Sequence, residues 1–414
     1  MRIRSLTIGA ALPTDEAARA SLIVRLGEFT RAGRAALEAA GFTVQSTRLS
    51  TQPAERWLPV SDGLLPTVSE IGEACAREGM EFWSLGTAQG QEGDEAALAW
   101  VEQIPGLLAA VPNAFASVQV GDAQVGGASL EAIRLAAACV KALAAGTPEG
   151  FGNMRFAAAA NCPPHVPFFP ASYYVEDERN EGGPEFGLAL EAADLAVLAF
   201  EGARSHEEAR ENLLALLVEQ GERAAQVCVG LGADRNYTFT GLDISMAPYP
   251  EPGKSIGRAL EMLSGAPLGS PGTLAAAAFF TGVLKEARSK LPTTGYSGLM
   301  LPPMEDLALA ERAAQGLVTL DTLLLMSAVC GLGLDTIPLP GDVTPKQLER
   351  IILDMASLAI RLDKPLTARL LPVPGKRAGD PAEWPEFHYF AKGKVMAVPG
   401  EAGDGLFRGN HIGF

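Results

Sequence analysis

The chain has 414 residues, 48% hydrophobic and 20% charged, with a mean hydropathy of +0.14. That composition excludes a disordered chain and supports a sizeable core. Lys plus Arg number 33 against 49 Asp plus Glu, a formal net charge of −16 and a pI of about 4.8, so a surface that repels phosphate backbones and anionic membranes is expected and nucleic-acid binding is not.

The length fits two or three domains or one large α/β unit. No run of about 18 apolar residues is free of Gly, Pro or charge, so no membrane span is expected. Residues Met1–Gly9 alternate too quickly for a signal peptide and read as a strand. Five widely spaced cysteines (Cys75, Cys139, Cys162, Cys228 and Cys330) contain no C-x-x-C. They point to reduced thiols in a cytoplasmic protein, with no zinc or iron–sulfur site built on cysteine.

In chain order, Ile3–Ile8 is a strand and Asp15–Ala40 an amphipathic helix stopped by Gly41. Strands follow at Thr43–Leu49, Glu81–Leu85, Phe115–Val120, Arg155–Ala160, Leu195–Phe200, Leu242–Met246 and Gly298–Leu301. Between them lie helices at Pro66–Glu78, Asp94–Ala110, Ser129–Ala145, Ser205–Cys228, Ser255–Ser264, Pro271–Ser289 and Met304–Gln315. Thr344–Leu362 is the best-marked helix, with Thr344 as N-cap and Pro345 first in the helix. Alternating strands and helices imply a mainly parallel sheet covered by helices, either closed as a barrel or open and doubly wound. Asp177–Pro184 and Pro372–Pro385 read as loops rather than linkers, which gives one α/β domain over residues 1–414 with a C-terminal tail at 397–414.

Six segments carry candidate chemistry. After the strand Arg155–Ala160 comes Asn161–Tyr174, where four prolines stiffen a loop holding Cys162 and His165. A thiol and an imidazole at a strand's C-terminal end fit a nucleophile and base, or a pocket wall; the plainer reading is a buried, inert cysteine. Leu242–Pro250 offers Asp243 and Ser245 at a strand end, or a turn-capping Asp. Gly265–Leu274 opens a helix with Ser270 as N-cap, and Ser270, Gly272 and Thr273 suit an anion or ordinary capping. Pro292–Asp306 brings Tyr296, then Glu305 and Asp306, which fit a pocket or a helix's first turn. Ser327–Asp342 places Cys330, Asp335 and Asp342 among glycines. Asp243, Glu305, Asp335 and Asp342 together form a carboxylate set that leaves a divalent cation open. Arg361–Lys376 reads as a strand carrying Arg369 between Lys364 and Lys376, a local basic concentration suited to an anion or to salt bridges.

Taken together, Ile3–Gly9, Cys162–Pro170, Ser270–Leu274, Gly295–Pro302, Cys330–Thr336 and Asp363–Lys376 resemble the DUF711 family, also called UPF0210. The resemblance runs to about Met396 and implies no particular activity. It implies a fold like that of the pyruvate formate-lyase-like glycyl radical enzymes, a barrel of roughly ten strands around a central loop, for which Gly331–Gly341 is the candidate. Radical chemistry does not carry over: the C-terminal Phe407-Arg408-Gly409-Asn410 lacks the glycyl radical motif.

The expected function is a non-radical enzyme acting on a small carboxylate or amino-acid-like metabolite. A non-catalytic metabolite-binding or regulatory protein, and a divalent-metal-dependent hydrolase or lyase, are the alternatives. The expected partner is a small-molecule ligand, with a homodimer left open. The expected site gathers Cys162, His165, Asp243, Ser245, Glu305, Cys330, Asp335 and Arg369 at the C-terminal mouth of the strands. There Arg369 and the helix N-terminus at Ser270–Thr273 would anchor an anion, and His165 or Asp335 would move protons.

Overall fold

A computed structural model describes residues 1–178, 183–403 and 405–414. In chain order the elements are β1 (Arg2–Gly9), α1 (Glu16–Ala39), β2 (Thr47–Ser50), α2 (Leu64–Arg77), β3 (Phe82–Ala88), α3 (Glu95–Val101), α4 (Ile104–Ala110) and β4 (Ala114–Asp122). Next come β5 (Gly127–Ser129), α5 (Leu130–Gly146), β6 (Phe156–Ala160), β7 (Glu185–Glu191), α6 (Ala193–Phe200), α7 (His206–Arg235), β8 (Thr238–Asp243), α8 (Ile256–Ser264) and α9 (Thr273–Arg288). The rest are α10 (Leu307–Ala314), α11 (Leu320–Ser327), β9 (Gly333–Pro340), α12 (Pro345–Leu362), β10 (Leu366–Val373), β11 (Pro381–Ala382), β12 (Gly393–Lys394) and β13 (His411–Gly413).

The central sheet runs β8-β7-β1-β2-β3-β4-β6-β10-β9. It has two parallel halves. β1, β2, β3, β4 and β6 run one way; β7 and β8, and β9 and β10, run parallel within each pair and meet the first set antiparallel at β1–β7 and β6–β10. Residues 292–299 reach both ends of this path. Leu242 pairs with Thr293 in a parallel bridge, and the Gly331 N–H donates to the Leu299 carbonyl at 2.7 Å. The tail is tied down, because β13 pairs antiparallel with β5.

Caps set most helix starts. Asp15, Ser129, Ser205, Ser255 and Asp306 each accept a first-turn N–H, and Thr344 with Gln347 forms a capping box. α9 departs from expectation: it starts at Thr273 with Gly272, not Ser270, as its cap. Leu195–Phe200 is helix α6 rather than a strand, and Asp94–Ala110 is split into α3 and α4. A short run of apolar residues has no period that separates buried helix from buried strand. No helix among the described residues is long and apolar enough to cross a membrane.

The two faces of the sheet carry different residues. Leu6 of β1 faces α1, close enough to Gly33 that a Cβ there would meet it. Ser5 and Thr7 face the other way and donate to the Pro167 carbonyl. On that second face Ser84 donates to Ser172, Thr87 to Ala171, and Gln119 accepts from the Cys162 N–H. Small hydroxyl side chains leave space for the loop after β6 and satisfy its buried carbonyls. The loop that packs on this face, in the place expected of a central loop, is the segment from Asn161 to Tyr174. Gly331–Gly341, expected in that role, is mostly strand β9.

Candidate functional site

The loop from β6 is pinned at its neck, where the His165 N–H donates to Tyr173 and the Tyr174 N–H donates to Thr51. Its tip carries Phe168 and Phe169. Beside Phe169 lies a cavity of about 390 Å³ whose wall includes Arg4, Arg48, Arg155, Glu305 and Arg369.

Bulges aim these side chains. Between Ile3 and Ser5, β1 has one more residue than β7, and the extra residue is Arg4. Between Leu334 and Ile337, β9 has one more than β10, with Thr336 at a φ of 49°; this sets Asp335 beside Arg369. Arg369 is 2% exposed and holds Asp335 bidentately at 2.5 and 2.9 Å, and donates to Glu305 at 3.1 Å. Arg4 donates to the other Glu305 oxygen. Burial alone would raise the Glu305 carboxyl, but Arg4 and Arg369 hold it below the usual glutamate value. Burial pushes the Asp335 carboxyl up despite Arg369, and Glu305 adds to the rise.

Two guanidinium groups on the cavity wall have no carboxylate in an ion pair among the described residues. Arg48 donates to Ser46 Oγ at 3.0 Å and lies over the Phe169 ring, 5.2 Å from its centroid. Burial pulls its pKa down, as do the like charges of Arg4 and Arg369. Arg155 donates to the Val111 and Ala114 carbonyls, and burial lowers it as well. Glu81 stands at the rim but pairs with Arg34.

The expected site residues fall into separate places. Glu305 and Arg369 line the cavity, and Asp335 stands directly behind Arg369. His165 sits at the opposite end of β1, in a small recess with Thr7, Gly9 and Glu185. Arg4 and Gly9 are five residues apart on β1, about 16 Å along an extended strand, so one small ligand does not span both places. His165 has a φ of 65°; its Nδ1 lies 2.5 Å from Glu185 and its Nε2 3.1 Å from Asp177. The Cys162 thiol donates to the Ala171 carbonyl and accepts from the Tyr296 hydroxyl at 3.3 Å. No Cys162–His165 pair forms, and burial pushes the Cys162 thiol up to about 12, the wrong direction for a thiolate nucleophile.

Asp243 accepts from the Ser245 N–H and hydroxyl, the Ser297 N–H and the Tyr296 N–H, which makes it the anchor of the 294–298 turn. Ser245 in turn accepts from the Gly298 N–H. Cys330 accepts from the Gly333 N–H at 3.4 Å. Lys364 donates to the carbonyls of Ser327 and Cys330 at the end of α11. Its charge is spent on backbone rather than on the basic cluster expected with Arg369. Ser270, Gly272 and Thr273 stand at the start of α9, in the helix layer, where Thr273 Oγ1 accepts from the Gly269 N–H. Asp342 is exposed, and among the described residues no three His, Cys, Asp or Glu side chains gather as a metal site. The four expected carboxylates do not converge, because Asp243 and the Asp335–Glu305 pair each have their own donors.

All five cysteines are buried free thiols, and burial raises Cys75, Cys139 and Cys228 to about 12 as well. Native protein at pH 8 should therefore show no fast thiol reaction with a disulfide reagent, and denaturation without reductant should release five thiols. A count of three would mean a disulfide and overturn this assignment.

The sequence reading missed Arg4, Arg48 and Arg155, and the rings of Phe82, Phe115, Phe151, Phe169, Phe387 and Tyr389 around them. For Arg4 and Arg48 the available signal was a guanidinium within a strand of a sheet covered on both faces; Arg155 lies just ahead of β6 and carried no such signal.

A family model described as uncharacterised ACR (DUF711) matches residues 1–387. A UPF0210 protein of Oleidesulfovibrio alaskensis is 29% identical over 379 residues, covering 89% of this chain and 82% of that protein. One of Lacticaseibacillus paracasei is 26% identical over 426 residues, covering 99% and 94%. One of Pyrobaculum arsenaticum is 36% identical over 264 residues, 61% of this chain; the match spans only 56% of that protein's length, and the same share of the Pyrobaculum aerophilum relative. With the family model matched from the first residue to Phe387, the chain belongs to the DUF711 family.

Proposed function

We propose that the arginine-lined cavity receives a small organic anion, at one end of a ring of ten strands. This reading takes the nine strands of the sheet path as the ring and residues 292–301, bridged to β8 at Thr293 and bonded to the Gly331 N–H at Leu299, as the segment that closes it. The observation that carries the binding reading is Arg48. It is a guanidinium on the cavity wall beside Arg4 and Arg369 whose own partners are one serine hydroxyl and one ring face. Arg4 and Arg369 are balanced by Glu305 and Asp335, so Arg48 and Arg155 leave the cavity short of negative charge. A carboxylate or phosphate entering there replaces lost hydration with charge-assisted hydrogen bonds, and an arginine fork suits either group.

Thermal denaturation with acetate, phosphate and sulfate, at ionic strength matched by sodium chloride, tests this reading. The expected result is a saturable rise in Tm for at least one anion, absent in Arg48→Met. Without anion, Arg48→Met should match the wild type or exceed it, within about 1 kcal/mol, because it removes a charge that burial, Arg4 and Arg369 disfavour more than Glu305 and Glu81 favour it. No rise beyond the chloride control, or an equal rise in both proteins, contradicts the reading.

A further inference from the structure

The rings around the cavity say more about the ligand than its charge. Phe82, Phe115 and Phe169 form one chain of contacts, with centroids 5.5 and 5.3 Å apart. Phe151, Phe387 and Tyr389 form another, at 5.0 and 5.2 Å. Both groups line the same cavity, and among the described residues no ring of one touches a ring of the other. The space between them is therefore a slot with aromatic walls. Its charged side is built by Arg4, Arg48 and Arg369.

Resting on the anion-binding reading above, we propose that the ligand is a planar aromatic carboxylate. Its carboxylate meets Arg48, and its ring lies between the Phe82–Phe115–Phe169 wall and the Phe151–Phe387–Tyr389 wall. A flat ring fills such a slot with offset or edge-to-face contacts, which rings prefer at centroid separations of about 4.5–7 Å. A short inorganic anion would satisfy the arginines and leave the slot wet. A volume of about 390 Å³ lies near the lower end of small-molecule sites, which run roughly 300–1,000 Å³, so the ring system is small. Part of the second wall, Phe387 and Tyr389, comes from the connection between β11 and β12 rather than from the central sheet.

Titration calorimetry with five probes separates the two claims: acetate and inorganic phosphate carry charge alone, benzoate and phenylacetate carry charge and ring, and benzamide carries the ring alone. The expected result is that an aryl acid binds at least tenfold more tightly than acetate and benzamide. Phe151→Leu and Tyr389→Leu should each reduce that advantage at least threefold, while acetate or phosphate binding and the melting temperature stay within twofold and a few degrees of wild type. Two separate leucine variants guard against one of them failing to fold. Acetate or phosphate binding as tightly as benzoate and phenylacetate overturns the aromatic assignment and leaves the anion site standing. Binding of benzamide as tight as benzoate, or of no anion at all, overturns both.

Discussion

Replacing Arg369 with Leu should cost about 3–5 kcal/mol of stability, read by urea or guanidinium denaturation. Arg369 is one of the largest fully buried side chains, and it supplies three hydrogen bonds to Asp335 and Glu305. Without it, the buried Asp335 carboxylate loses its bidentate partner and faces Glu305, which keeps its ion pair with Arg4. A second substitution isolates the cause. Asp335→Asn added to Arg369→Leu should recover part of the loss, because it removes the carboxylate left without a cation. Loss under about 1 kcal/mol in the single variant, or no recovery in the double, would mean that the ion cluster does not hold β9 to β10 in this way. The cluster's pH dependence has two opposed parts. Glu305, held low in the fold, contributes stability that is present above its unfolded value of 4.5 and is lost as pH falls through its folded value. Asp335, raised by burial, acts with the opposite sign, favouring the fold below its unfolded value of 3.8 and costing stability as pH rises through its folded value.

Asp243→Ala should cost at least about 3 kcal/mol, since it strands several buried donors at roughly 1–3 kcal/mol each. The donors are the N–H groups of Ser245, Tyr296 and Ser297 and the Ser245 hydroxyl. They belong to the turn that carries residues 292–301 between β8 and β9, so the variant should also loosen that side of the sheet. Hydrogen exchange localises the effect: faster exchange near 293–299 and 331, with little change at β2 and β3. Asp243→Asn is the gentler probe. Burial raises the Asp243 carboxyl, so its contribution to stability falls as pH rises from its unfolded value of 3.8 through its folded value. The wild type's advantage over Asp243→Asn should therefore be larger near pH 4 than at pH 7. Uniform protection across the sheet in Asp243→Ala, or a margin over Asp243→Asn that grows with pH, would contradict this role.

Local chemistry was legible where it follows from a few neighbouring residues. Thr344-Pro345 with Gln347 marked the start of α12, and Ser129, Ser255 and Asp15 marked theirs. The short apolar strands β1, β3, β4 and β6 were readable for the same reason. β7 was hidden because its ends, Glu185 and Glu191, are charged; both are buried and paired from afar, Glu185 with His165 and Glu191 with Arg2 through one carboxylate oxygen. β9 was hidden by its glycine and two prolines, residues that read as a loop rather than as a strand.

The expected site residues lie apart for a topological reason. Placing every functional group at the strands' C-terminal ends assumes one direction, but the two halves of this sheet run antiparallel. Each end of the sheet therefore has C-termini, and His165 and Arg369 went to different ends. Arg369 was found from its charge in an acidic chain. The same argument applies to Arg4 and Arg48, which also stand within strands of an acidic chain.

A crystal structure grown with benzoate tests the central claim most directly. The benzoate carboxylate should lie within hydrogen-bond distance of Arg48, in the cavity bounded by Arg4, Arg369 and Phe169. Benzoate bound elsewhere, or Arg48 swung out of the cavity to pair with Glu81, would contradict it.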